Sequence, residues 1–415
     1  MNFDRRDFFR YSTGALCGFS PLANSLQAQP RQLKQNAKMV IYVNVSGGLS
    51  QLDSFGIKAD NKEISGQSKA IKSSADGIRI SHFFPRMAKQ MHHVALINSM
   101  HTNQGAHAEG DYYTHTSYVP RSSIIHPELG AWVSRFKGDS RMTLPAFVKI
   151  SATASSGAGF FEGKYGALPI AKASSGLQYS SRHRHVDKKQ FDQRLQMLSL
   201  LNKTYSKKRS HKMVETYSAA YDNAVRLMGS KDLDVFDINN EKKKYLDAYG
   251  NNDFGQGCLL ARRLAESGVK FIEVKSNAWD HHNGIYEDFP KQAAELDQGL
   301  AALIHDLSQR GMLNSTLVVL STEFGRTPDL SPGKGRGHYP KAYTCLLAGG
   351  GISGGQAYGK VSADGRDIEE NKVSVPDFNA TIAYAAGLDV KKVITSPEGR
   401  PFTVAHKGKP LYQLF

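Results

Sequence analysis

TLVVLSTEFGRTP, residues 316–328, sets the reading of the whole chain. Leu317–Leu320 is an apolar run of strand length, and it stops in a polar turn that carries an acid, Glu323, and a cation, Arg326. GKGRGHYP, residues 333–340, follows as a glycine-rich loop that reaches His338. A buried strand that delivers charged side chains at its carboxyl end belongs to an open parallel sheet, where the loops beyond the strand ends build the site.

The same grammar recurs on either side. MVIYVNV (39–45) reads as a buried strand ending in Ser46, Gly47 and Gly48, and VALIN (94–98) as another, ending in SMHTNQGAHAEGD. FGQGCLLARRLAESG (254–268) reads as a helix stopped by Gly268, followed by the strand VKFIEV (269–274) and the turn SNAWDHHNG. Leu296, Leu300, Leu303, Ile304 and Leu307 form one helical stripe ahead of Gly311 and the strand TLVVL. AYTCLL (342–347) is a last strand, leading into AGGGISGG. Helix-to-strand repetition predicts an α/β fold, a mostly parallel sheet with helices on both faces, in one domain over 38–415. Residues of about 180–250 break the pattern: SRHRHVDKK and SKKRSHK flank Phe191, Leu195 and Leu198, which predicts a basic helical insertion.

Four strands thus end in polar loops, and these loops are expected to converge. They hold Asp53; His101, His107, Glu109 and Asp111; Asp280, His281 and His282; and Glu323, Arg326 and His338. Carboxylates and imidazoles on rigid strand ends are the donors a divalent metal takes, and such a metal serves ester cleavage. Each residue taken singly also reads as a loop side chain bonded to backbone, and Glu323 with Arg326 also reads as a buried ion pair that pins the loop.

Composition limits the setting. The 415 residues are 40% hydrophobic with a formal charge of +15 and a mean hydropathy of −0.43, and no apolar run approaches membrane-spanning length. The excess of cations suits anionic partners or a solvated basic surface. DRRDFFRYSTGALCGFSPLANSLQAQ, from Asp4, pairs Arg5 with Arg6 ahead of a weakly apolar stretch, the pattern of a twin-arginine export signal over residues 1–28. Cleavage is expected near Ala28, with Ser25 the competing site. Export through the twin-arginine translocase predicts a periplasmic or secreted protein with no nucleic-acid partner. Past the signal only Cys258 and Cys345 remain, too few for a disulfide scaffold or a structural zinc site.

VNVSGGLSQLDSF, the helix and strand leading to WDHHNG, the stretch from LDQGLAALIHDLSQRG to STEFGRTP, and GRGHYPKAYTCLLAGGGISGGQAYG resemble the family called domain of unknown function 1501. That resemblance covers the chain from about residue 38, and the family is similar to the alkaline phosphatase and sulfatase superfamily. It implies that Glu323 stands in the place of a metal-binding acid, with Phe324 where a histidine would follow. His338 resembles the downstream histidine, and Asp280 with His282 the other aspartate and histidine pair. Ser46 stands where the first strand should end in an aspartate, and Asp53 is the nearest substitute. The nucleophile of the superfamily has no clear counterpart, Thr102 and Thr114 being the candidates, and no CxPxR sulfatase signature occurs. The expectation is a metal-dependent hydrolase of sulfate or phosphate esters acting on an anionic small molecule or polysaccharide, with Thr102, Glu323 and Arg326 catalytic and Asp53, His107, Asp280, His282, Glu323 and His338 around a divalent metal. The alternative is a non-catalytic member that binds an anionic glycan or an envelope partner. Cations at Arg326, Lys334 and Arg336 would serve either.

Overall fold

The computed structural model describes residues 36–152, 157–208 and 221–415; the export signal lies outside the described residues. The apolar run MVIYVNV forms β1 (Met39–Val45), every residue of it buried. β1 lies between β5 (Phe271–Ser276) and β6 (Thr316–Ser321) and is parallel to both. Beyond β5 come β3 (Phe147–Ile150) and β4 (Leu168–Ile170), again parallel. Beyond β6, β7 (Tyr343–Gly349) runs antiparallel between β6 and β2 (Val94–His101). β8 (Gln356–Tyr358) and β9 (Val373–Ser374) pair with β2 in parallel. The result is a nine-stranded sheet with one reversed strand.

The sheet is mostly parallel as expected, and AYTCLL is its reversed strand. A parallel return needs a crossover of a dozen or more residues, usually helical, and between β6 and β7 the chain forms only the short pair Gly325–Arg326 with His338–Tyr339. AGGGISGG therefore lies at the edge away from the proposed site, while the start of β7, just after His338, lies beside it. β3 and β4 were not legible as strands, because four residues in FVKI and a proline in LPI carry too little periodicity.

Strand alternation divides the core between the two faces of the sheet. Met39, Ile41, Val43 and Val45 pack with α4 (Asp253–Glu266) and α5 (Ile285–Gln309). Val40 and Tyr42 point the other way, toward α2 (Leu129–Lys137) and α6 (Val375–Ala385). All five apolar residues of the α5 stripe are buried, each contributing about 2 kcal/mol. In the expected insertion the regular elements among the described residues are all helical, including α3 (Lys188–Lys208), with no strand among them. Cys258 and Cys345 are free and buried. Among the described residues no helix is long and apolar enough to cross a membrane.

Candidate metal centre and adjoining cleft

β1, β2, β5 and β6 all run the same way, so the loops after Val45, His101, Ser276 and Ser321 meet at one edge. The turn after β1 is glycine by necessity. Gly47 has φ +116°, and a Cβ there would stand 2.7 Å from the Trp279 amide nitrogen and 2.8 Å from that of Asp280. Gly47 N–H donates to Glu323 Oε1 over 2.8 Å, which ties the first loop to the EFGRTP turn. α1 (His107–Thr116), which follows β2, lies over this junction, close enough that a Cβ on Gly110 would sit 3.0 Å from Glu323 Cβ.

Four of the sequence-selected residues come together there. His107 Nε2 lies 3.2 Å from Asp280 Oδ2, while Asp280 Oδ1 lies 3.0 Å from His282 Nε2 and 3.3 Å from His338 Nε2. The nitrogens of His282 and His338 are 2.9 Å apart. Donor atoms of His107, Asp280 and His338 all lie within 4.8 Å of one another. Two of the rings are oriented from behind: His107 Nδ1 is 2.7 Å from Glu323 Oε1, and His338 Nδ1 is 2.7 Å from the Gly105 carbonyl. Phe324 packs against both imidazoles, 5.0 Å from His107 and 4.4 Å from His338 between ring centres. Where the resemblance would place another histidine ligand, this chain has an apolar plate that sets the orientation of two others.

Glu323 and Arg326 have separate partners rather than each other. Glu323 is buried behind His107. The guanidinium of Arg326, fully buried, donates to the carbonyls of Gly48 (2.8 Å), Arg336 (2.9 Å), Trp279 (3.3 Å) and Gly47, and to Asp280 Oδ1 at 2.5 Å. It offers no free face to a ligand and acts as the clamp that joins three loops. Burial opposes ionisation of Asp280, but the bond from Arg326 outweighs it and holds the carboxyl down at about 2. Burial lowers the affinity of His282 for protons, partly opposed by Asp280.

The remaining selections lie elsewhere. Asp53 has no exposure and accepts from Arg336 Nε (2.8 Å), Ser50 (2.6 Å), Ser68 (2.6 Å) and Tyr286 (2.9 Å), so its oxygens are already committed. Arg336 is consequently a buried structural cation, and of the three cations expected around the cleft only Lys334 is exposed. Thr102 donates its amide to the Pro340 carbonyl and accepts the Gln104 amide on its hydroxyl, the geometry of a loop brace. Thr114 is buried, with its carbonyl bonded by Asn379. His101 is bonded to the Val373 carbonyl, Glu109 is exposed, and His281 is buried against Trp279 and Phe289.

Residues 37–415 match the family described as protein of unknown function (DUF1501). The chain belongs to this family. No curated protein matches the DUF1501 chain in sequence. Solved structures similar to it include Ps i-CgsB, at 13% identity over 85% of this chain and 72% of that one, with a TM-score of 0.42. The lipoteichoic acid synthase LtaP from Listeria monocytogenes follows at 9% identity, 86% and 74% coverage and a TM-score of 0.39. The PsFucS1 sulfatase from Pseudoalteromonas sp. follows at 14%, 86% and 69%, and 0.40.

A second group of polar residues, absent from the sequence-selected set apart from Asp111, stands next to the first. His107, Asp111 and His115 lie at i, i+4 and i+8 on one face of α1. His115 Nε2 lies 3.3 Å from Glu273 Oε1, Lys149 Nζ lies 3.0 Å from Glu273 Oε2 and 2.7 Å from Glu128 Oε2, and Asn44 Nδ2 lies 3.2 Å from Asp111 Oδ1. Glu273 and Lys149 sit inside the apolar runs FIEV and FVKI. A charge within a buried strand requires a buried partner, and that was the signal available in the sequence.

Burial acts to deprotonate His115, but Glu273 and Asp111 overcome it and raise its pKa to about 10. Against an ordinary value of about 6.5, the resulting stability is complete below about pH 6.5 and is lost as pH rises toward 10. Wild-type unfolding free energy should therefore fall over that range relative to a His115→Gln variant, by on the order of a few kcal/mol. Parallel pH profiles for the two proteins in urea unfolding would contradict the pairing.

Proposed function

We propose that this protein is an exported, metal-dependent hydrolase of sulfate or phosphate esters, working with one divalent ion. The observation that carries the reading is the group His107, Asp280 and His338, whose donor atoms all lie within 4.8 Å of one another, with both histidines 3.2–3.3 Å from the Asp280 carboxylate and His282 beside it at 3.0 Å. Donors about 2 Å from a single ion stand about 3.3 Å apart in tetrahedral geometry. His107 Nε2 is shielded from solvent and has no hydrogen-bond partner despite its closeness to Asp280, so the donor set fits an ion. Metal-binding histidines characteristically have the second nitrogen held by a carboxylate or a backbone carbonyl, as Glu323 and Gly105 hold these.

When bound, the metal supplies positive charge opposite the ester oxygens and promotes attack by water. The protein's own groups prepare that site. Arg326 keeps Asp280 ionised and contributes one fixed cation, so a single metal suffices to balance the cluster. Glu323 and the Gly105 carbonyl fix which nitrogen of each ring faces inward, and Phe324 keeps the rings from turning. The Thr102 hydroxyl braces its own loop by accepting from the Gln104 amide and the Thr114 side chain is buried, and water is the nucleophile in this reading. Arg5 and Arg6 direct export by the twin-arginine route, which places the substrate in the periplasm or outside the cell.

Hydrolysis of 4-nitrophenyl sulfate and 4-nitrophenyl phosphate tests the activity. Turnover of one of them should disappear after chelation and return on addition of a divalent metal. Metal-loaded protein that turns over neither ester would instead support binding without catalysis.

A further inference from the structure

Beside the His107–Asp280–His338 cluster, along the same face of α1, lies a 740 Å³ cleft that the ester chemistry does not use. Asn44, His115, Lys149 and Glu273 line it with buried side chains, Asp111 and Glu128 are partly exposed, and Lys275 and Asn277 lie toward solvent. We propose that this cleft is a subsite for a neutral, hydroxyl-rich ring, of the kind presented by one sugar residue of a glycan. Its role in holding substrate rests on the hydrolase reading; its existence as a binding site does not.

The charges of the lining argue for a neutral ligand. Three carboxylates, Asp111, Glu128 and Glu273, stand with three cations, His115, Lys149 and Lys275. An anion can only accept hydrogen bonds and would meet the carboxylates; a cation can only donate and would meet the ammonium and imidazolium groups. A hydroxyl does both. Adjacent hydroxyls on a ring can give to one fixed carboxylate and receive from a neighbouring ammonium or amide, an alternation this lining provides.

The inner groups are already ordered for that task. Glu273 is held by Lys149 at 3.0 Å and His115 at 3.3 Å, and Asn44 reaches Asp111 at 3.2 Å. Burying so many charges costs several kcal/mol per ion and gives little net stability over an apolar core, so the arrangement is better explained by a ligand than by folding. Tyr112 adds an apolar ring face beside these groups, fixed by bonds of 2.7 Å to His126 Nδ1 and 2.8 Å from the His126 amide. Such a ring suits the CH face of a sugar. Asp111 is one turn from His107, about 6 Å along the helix, so a ring in the cleft would place an attached ester at the metal cluster.

Titration calorimetry tests this with the methyl glycosides of glucose, galactose, mannose and N-acetylglucosamine at about 10 mM, in low and high salt, with inorganic sulfate in parallel. At least one neutral glycoside should bind with an affinity that does not change with salt. A Lys275→Ala, Asn277→Ala variant, altered only toward the opening of the cleft, should bind it at least about tenfold more weakly. The titration is repeated with and without added zinc. Glycoside binding in a protein that takes up no zinc would remove the metal reading and leave the subsite standing. Failure of all four glycosides to bind, equal binding by the double variant, or weakening with salt would overturn the subsite.

Discussion

An Arg336→Met variant should unfold at a markedly lower urea concentration than the wild-type chain, having lost about 3–5 kcal/mol. Arg336 and Asp53 form an ion pair in which neither side chain has any exposure. The guanidinium also donates to the carbonyls of Ile64 (2.6 Å), Thr327 (3.1 Å) and Pro328. Methionine matches much of its volume but satisfies none of these acceptors, and it leaves a carboxylate buried without a cation. Removing one partner of a buried pair is the damaging change, whereas neutralising both is milder. An Asp53→Asn, Arg336→Met double variant should therefore recover part of the loss. Equal urea midpoints for wild type and Arg336→Met would show that the pair does not hold this loop.

The Asp280→Ala variant should lose metal affinity by more than the roughly 100-fold expected from removing a group that merely supports a ligand. Asp280 is the shared partner of His107, His282, His338 and Arg326. Without it, three imidazoles face each other with no anion between them and Arg326 loses its carboxylate. Asp280→Asn separates the two consequences, since its amide oxygen still accepts from Arg326 while the negative charge is gone. That variant should lose less stability than Asp280→Ala and still lose metal and turnover. Glu323→Gln, which acts only through His107, should lose about 10- to 100-fold. Metal content and ester turnover unchanged in Asp280→Ala would contradict the cluster as the centre of the chemistry.

The parallel sheet was legible because its central strands are long apolar runs ending in glycine or in polar turns, as MVIYVNVSGG and TLVVLSTEFG do. Convergence of the loops follows from strand direction alone, which is why His107, Asp280, His282 and His338 could be selected together. Charge pairing was not legible. Arg326 is three residues from Glu323 in the chain but reaches Asp280 from across the sheet edge, and Asp53 finds Arg336 283 residues away. Such partners depend on the path of the loops, to which local pattern is blind. The cleft was missed for a related reason: Glu273 and Lys149 look like interruptions in apolar strands until β3 and β5 are seen side by side. The direction of β7 was not legible either, because an apolar strand reads the same in either sense.

Elemental analysis of the wild-type protein, purified without chelator, beside a His107→Ala, His338→Ala variant bears most directly on the account. The prediction is close to one divalent metal ion per chain in the wild type and none in the variant, with matching circular dichroism spectra. Wild-type protein without stoichiometric metal, or a variant that retains it, would contradict the account.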